Sequence, residues 1–343
     1  MRKLTKKPGR ERYPDRLKDV AQAAGVSLIT ASRVLHRPEM VAAPTRARVE
    51  AAMRETGYVP NLVGRSLVTQ RTRVIACIVP SIQNPVLSEL VHAMSQVFRQ
   101  AGYVLLLGDS GGQPDEEEAL VATFLAQRPE GLLLHGTLHT ERTRALLRRS
   151  GIPIMETGNL EGEPLELVVG YSNFAAAREM TLHLLSRGYS RIGLICNLTQ
   201  FSDRAAARKR GFLDALEKAG LPVSLDLVAE TPRGVHEGAA AFSHLLERRP
   251  DLQAVFCAGD MWAVGALFEC ARRGWKVPDR IALAGFDDLP IASEAVPALT
   301  TVRVPWRKMG EEAARLLLAR LESHVSGPAI VDIGFEIVRR QSA

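Results

Sequence analysis

Ala21, Gly25, Ser27 and Ala31 stand at intervals that suit two short helices crossing at a tight turn. A small Ala21 permits close crossing, Gly25 can take the left-handed conformation of the turn, and Ser27 is placed to cap the second helix. Val20, Ala24, Val26, Ala31 and Val34 would then face inward. Leu28, Ile29, Ser32 and Arg33 are left near the start of the second helix, from which a helix-turn-helix reaches base edges in a major groove. Leu28 and Ile29 cannot make bidentate hydrogen bonds, so they would read thymine methyls or groove shape, or else belong to the small core. Arg33 suits a guanine or a phosphate.

Charge supports the nucleic-acid reading. Residues 1–71 hold fifteen Lys/Arg against six Asp/Glu, a net of +9, while the whole chain is +6, which leaves −3 for residues 72–343. A basic head on a mildly acidic body is the pattern of a phosphate-binding module attached to a separate domain.

A second set of polar residues lies at the ends of apolar, strand-like runs, where open parallel sheets bind ligands. Ser81 and Asn84 follow the run at 74–79, His139 and Thr140 follow 131–134, and Glu156 follows 152–155. Arg233 offers a positive charge in the second half of the chain. Gly108-Asp109-Ser110-Gly111-Gly112 mimics the stretch around a chymotrypsin-like nucleophile, but it sits between a parallel-type strand and an acidic helix start, so it reads as a loop. Cys77, Cys196, Cys257 and Cys270 lie in apolar runs without metal-site spacing and read as buried, reduced thiols; no metal and no cofactor is expected.

The elements that must position these residues divide the 343-residue chain into four parts. Residues 1–14 form a basic arm, 15–60 the helix-turn-helix domain with a third helix after Pro44-Thr45, 61–72 a short helical joint and linker, and 73–343 the body. In the body, runs at 74–79, 103–107, 131–134, 152–155, 167–169, 191–196, 254–257, 281–286 and 301–304 alternate with amphipathic stretches such as 85–100, 174–187, 204–219 and 261–273. Such alternation predicts an α/β body with parallel sheets covered on both faces. The strands are too many for one open sheet and the series restarts at Arg191, which predicts two doubly wound lobes with a cleft between them. No run approaches a membrane span and no signal core follows Met1, so a cytoplasmic protein without membrane contact is expected.

Over essentially its full length the chain resembles the LacI/GalR family of bacterial transcription regulators. The head matches at Asp19-Val20-Ala21, Ala24-Gly25-Val26-Ser27, Ser32-Arg33-Val34 and Gly57-Tyr58-Val59-Pro60-Asn61. The body matches at Gly188-Tyr189-Ser190-Arg191-Ile192, Asp260-Met261-Trp262-Ala263-Val264-Gly265 and Ala284-Gly285-Phe286-Asp287-Asp288. Within the family it is similar to the gluconate-utilisation repressors, through Ser27-Leu28-Ile29-Thr30, His139-Thr140, Val169-Gly170-Tyr171-Ser172-Asn173 and Phe268-Glu269-Cys270 among others. The resemblance implies a homodimer on a palindromic double-stranded DNA operator, a periplasmic-binding-protein-like body, and a hinge helix at about residues 61–68. It places Asn61 in that hinge and makes Leu67 the apolar wedge of the minor groove. In the body it implies that Arg208, three before Gly211, and Asp287 bind the effector, with Trp306 against its carbon chain. A sugar acid of the gluconate type is the implied effector. The chain departs from the family pattern near Arg16, where a threonine often starts the first helix, at Ala42, where a serine usually caps the third, and at Gly259, where an asparagine commonly grips the ligand.

Two other functions compete. A sugar-converting enzyme would need a nucleotide fingerprint, a phosphate loop or a nucleophile-base pair, none of which the sequence offers. A free periplasmic sugar carrier would share the body but carry a signal peptide and lack the basic head.

Overall fold

The computed structural model describes residues 17–59, 71–323 and 327–343. The expected arm, Asn61, Leu67 and the hinge at 61–68 lie outside these residues. The chain divides into two compact units between Thr72 and Arg73.

The head contains helices α1 (Leu17–Ala23), α2 (Leu28–His36) and α3 (Ala43–Thr56). Val20, Ala21, Ala31, Val34, Val49 and Ala52 are buried together. Gly25 takes φ +62° and so turns the chain between α1 and α2 where a side chain would be strained. Ser27 caps α2, its Oγ accepting the Thr30 amide at 3.1 Å. Val26 is only half-buried, because the turn leaves it at the margin of this small core. Ala42 gives α3 no side-chain cap; Pro44 occupies its first turn, where the missing N–H costs nothing.

The body contains two six-stranded sheets. The first runs in the order β11-β5-β4-β3-β1-β2, with β1 Val74–Val79, β2 Val104–Asp109, β3 Gly131–His135, β4 Ile154–Thr157, β5 Leu167–Gly170 and β11 Ala329–Asp332. The second runs β12-β10-β9-β8-β6-β7, with β6 Ile192–Cys196, β7 Val228–Glu230, β8 Ala254–Cys257, β9 Ala282–Asp287, β10 Thr300–Arg303 and β12 Glu336–Val338. All pairings are parallel except that of β12 with β10. Helices α4 (Pro85–Gln100), α5 (Pro114–Ala126), α6 (Glu141–Ser150), α7 (Asn173–Ser186), α8 (Asp203–Lys218), α9 (Val235–Arg248), α10 (Asp260–Arg272), α11 (Pro290–Glu294) and α12 (Trp306–Ser323) complete the described body.

The lobes are not consecutive halves of the chain. It leaves the first lobe after β5, returns to pack α12 on α4, adds β11 to the first sheet and ends by adding β12 to the second. Three crossings therefore join the lobes. The strands missed by sequence reasoning, β7, β11 and β12, all lie at sheet edges, where half-exposed residues give no continuous apolar run. The four cysteines are free and buried, and burial pushes the Cys77 and Cys196 thiols up to about 12.

Candidate functional site

On the head, Leu28 is 51% and Ile29 65% exposed, so neither belongs to the core. Arg33 is exposed one turn further on, and Ser32 is half-buried between them. Two adjacent large apolar side chains held in water at the start of a capped helix form a surface suited to thymine methyls and groove walls.

In the body, a cavity of about 550 Å³ opens between the carboxyl ends of the two sheets. Ser81, Asn84, Arg208, Arg233, Asp287 and Trp306 all line it. Asn84 caps α4, its Oδ1 accepting the Val86 amide at 3.4 Å, and Ser81 Oγ accepts the Gln83 amide at 3.2 Å. The first lobe therefore presents its polar groups from the α4 N-terminus.

Arg208 is held in one orientation by three hydrogen bonds. Its Nε donates to Asn173 Oδ1 at 2.9 Å, Nη1 to the Ala258 carbonyl at 2.7 Å and Nη2 to the Tyr171 hydroxyl at 2.7 Å. Its guanidinium carbon lies 3.6 Å from the centre of the Phe286 ring. Asp287 faces two guanidinium groups, 4.0 Å from Arg208 Nη2 and 3.7 Å from Arg233 Nη1. Burial raises the Asp287 carboxyl above its usual range, against the pull of Arg208 and Arg233. Asp287 Oδ1 and Trp306 Nε1 are buried without a hydrogen-bond partner among the described residues. Such buried polar groups are costly while they stay unpaired.

The loop carrying Asp287 is strained, with φ +107° at Asp287 and +51° at Asp288. Asp288 anchors it through Arg303 at 2.6 Å and Arg340 at 2.8 Å. Beneath it, buried Asp260 accepts the Leu289 amide and the Thr301 hydroxyl, both at 2.7 Å. Burial and neighbouring Asp287 push the Asp260 carboxyl up to about 8. The same packing requires Gly285, since a Cβ there would come within 2.1 Å of Asp260 Oδ1.

His139, Thr140 and Glu156 do not line the cavity. His139 is clamped between carboxylates, Nδ1 2.6 Å from Glu117 and Nε2 3.2 Å from Glu156. Glu156 is wholly buried, its other oxygen taking the Leu165 amide at 2.5 Å. Thr140 caps α6. These three residues tie α5, β4 and the α6 start together; following a strand does not settle which way a side chain points.

Sequence reasoning missed His135, Arg204 and Trp262. Arg204 lies one helical turn before Arg208, a spacing that puts both on one face and could have revealed it. Its Nη1 donates to the His135 carbonyl at 3.0 Å, across the lobes. His135 is buried, and burial, then Arg204, lowers its pKa well below the usual value, so the ring is neutral. It packs 6.0 Å from Trp306.

The lobes are also latched beside the cavity. Asp203, at the start of α8, accepts the Thr137 amide at 2.8 Å, the Thr137 hydroxyl at 3.0 Å and the Asn159 side-chain amide at 2.9 Å. Glu161 of the first lobe accepts the amides of Asn173 at 3.3 Å and Phe174 at 3.2 Å, at the start of α7 in the second.

Comparison with known proteins agrees with this architecture. Residues 16–61 match the model of bacterial regulatory proteins of the lacI family, and residues 181–343 match a periplasmic binding protein-like domain. The HTH-type transcriptional regulator GntR of Pseudomonas aeruginosa is 38% identical over 327 residues, 95% of each chain. A LacI-family transcriptional regulator from Silicibacter pomeroyi superimposes with a TM-score of 0.88 at 32% identity, over 96% of this chain and 99% of that one. The lac repressor dimer bound to operator and the anti-inducer ONPF superimposes at 0.84 with 25% identity, over 96% and 99%. The chain belongs to the lacI family of bacterial regulatory proteins. It is a DNA-binding transcriptional regulator and not an enzyme. Regulators of this family bind operator DNA and small-molecule effectors and act as dimers. Among the described residues, no helix is long and apolar enough to cross a membrane.

Proposed function

We propose that this chain is a homodimeric, cytoplasmic repressor whose grip on a palindromic operator is controlled by a small sugar acid of the gluconate type bound between the lobes. The observation that carries the effector class is the charge of the cavity. Its lining holds Arg204, Arg208 and Arg233 against Asp287, with His135 neutral; Arg204 is paired with Asp203 at 2.9 Å, and Arg208 and Arg233 against Asp287 leave an excess of +1. Removing a carboxylate from water is costly without a cationic partner, so such a wall selects an anion. The unpartnered Asp287 Oδ1 and Trp306 Nε1 suit hydroxyl groups on the same molecule. The similarity to the gluconate-utilisation repressors, and the relatives named GntR, favour the same reading.

For the DNA end, the proposal assigns Ser27, Leu28, Ile29, Ser32 and Arg33 to the major groove, and Asn61 and Leu67 to a hinge wedged into the minor groove. The arm spans residues 1–14, the head 15–60, the hinge and linker 61–72 and the body 73–343 in this reading. Self-association is supported by apolar surface on both lobes: Ile82, Leu107, Phe268, Ile291 and Val296 are each 41–95% exposed. Effector binding shifts the balance between lobe arrangements, and that shift is passed to the paired heads.

Calorimetry with gluconate and the neutral alcohol glucitol, alongside operator gel shifts over a salt series, tests the proposal. Gluconate should bind and change operator affinity, glucitol should do neither at the same concentration, and operator affinity should fall steeply with salt as counterions are released. Binding of a neutral hexose or a purine with indifference to sugar acids would refute the effector class and leave the DNA reading standing.

A further inference from the structure

Arg208 and Arg233 both face the cavity, yet their circumstances differ. Arg208 has three of its N–H groups bonded to Asn173, Ala258 and Tyr171, and its side chain is 8% exposed. Among the described residues Arg233 makes a single ion pair, with Asp287 at 3.7 Å, beyond hydrogen-bond length, and it is 28% exposed. Its guanidinium carbon stands 4.9 Å from the centre of the Trp262 ring. Trp262 is a fixed platform, 1% exposed, its Nε1 donating to the Pro232 carbonyl at 2.8 Å. Arg233 is thus oriented by stacking while its donors remain free.

The space for this arrangement comes from Gly259. A Cβ there would stand 2.8 Å from two Trp262 ring carbons and 3.2 Å from Arg233 Nη1. Gly259 has φ 177°, extended backbone that any residue adopts, so conformation does not demand glycine here; the neighbours do.

We propose that Arg233, seated in the space Gly259 leaves and stacked on Trp262, is the residue that distinguishes an acid from its neutral counterpart. This inference rests on the sugar-acid reading and names which cation serves it. The carbon chain would extend from Arg233 towards Asp287, whose free oxygen accepts a hydroxyl.

The test is calorimetry of the full-length protein with gluconate and glucitol, on the wild type, Arg233→Gln, Gly259→Ala and the double variant, with melting curves as folding controls. Wild type should prefer gluconate. Arg233→Gln should lower gluconate affinity about 10–100-fold, the range for a lost charge-assisted hydrogen bond, and leave glucitol affinity within about threefold. Gly259→Ala, whose Cβ alone fills the space, should also reduce the preference for gluconate, with little further loss in the double variant, because both changes remove the same seat. An unchanged gluconate-to-glucitol ratio in Arg233→Gln overturns the inference while the sugar-acid effector stands. A wild type without preference for gluconate overturns both.

Discussion

Replacing Asp203 by alanine should loosen the lobes without removing a contact of Arg208, Arg233 or Asp287. Burial by itself would raise the Asp203 carboxyl, but Arg204 beside it and hydrogen bonds from Thr137 and Asn159 hold it at about 2, against an ordinary 3.8. At 1.36 kcal/mol per unit that difference is about 2 kcal/mol favouring the ionised form. Arg204 is the largest favourable contributor and sits on the same helix, so the share that joins the lobes is smaller, about 1–2 kcal/mol. Loss of that share makes lobe opening about 5–30 times more frequent. Hydrogen exchange reads this directly at the amides of Asn173 and Phe174, which bond across the lobes to Glu161 and not to Asp203. They should exchange about 5–30 times faster in Asp203→Ala, with the strands of either sheet unaffected. Because the folded pKa is depressed, the latch is fully effective above about pH 4 and weakens as pH falls towards 2. Unchanged exchange at residues 173 and 174 would refute the latch, whatever the effect on stability.

Two other outcomes are expected. His139 has its pKa raised to about 9: burial opposes protonation, but hydrogen bonds donated by the ring to Glu117 and Glu156 outweigh it. Its stabilising contribution is therefore complete below about pH 6.5 and lost as pH rises towards 9; urea midpoints at the two pH values should differ in the wild type and much less in His139→Gln, and equal pH dependence of the two proteins would count against the clamp. Ser27→Ala removes the acceptor for the Thr30 amide and should cost the head about 1 kcal/mol, with weaker operator binding, whereas Ser27→Asp should retain most of the stability. A head melting curve unaltered by Ser27→Ala would show that the cap contributes nothing.

The local devices of the head were legible in the sequence, because they depend on neighbours a few positions apart. Gly25 turns with positive φ, Ser27 caps, and Leu28 and Ile29 stay outside the core. The buried strands were legible for a similar reason: a parallel strand covered on both faces must be a continuous apolar run, as β1 and β8 are. Edge strands escape this requirement, so β7, β11 and β12 left little signal.

Only the tertiary structure decided which polar residue does what. Ser81, Asn84 and Glu156 all stand near strand ends in the sequence, yet Ser81 and Asn84 reach the cavity while Glu156 is turned into a clamp on His139. Arg204, Arg208 and Arg233 look alike as letters. Their differences come from what the fold brings to each: a carbonyl across the lobes for Arg204, a cage of fixed acceptors for Arg208, and for Arg233 a tryptophan face with the gap left by Gly259. Apolar burial repeats with the period of the backbone and can be read along the chain, whereas the partner of a buried charge is chosen by three-dimensional packing between segments far apart in sequence.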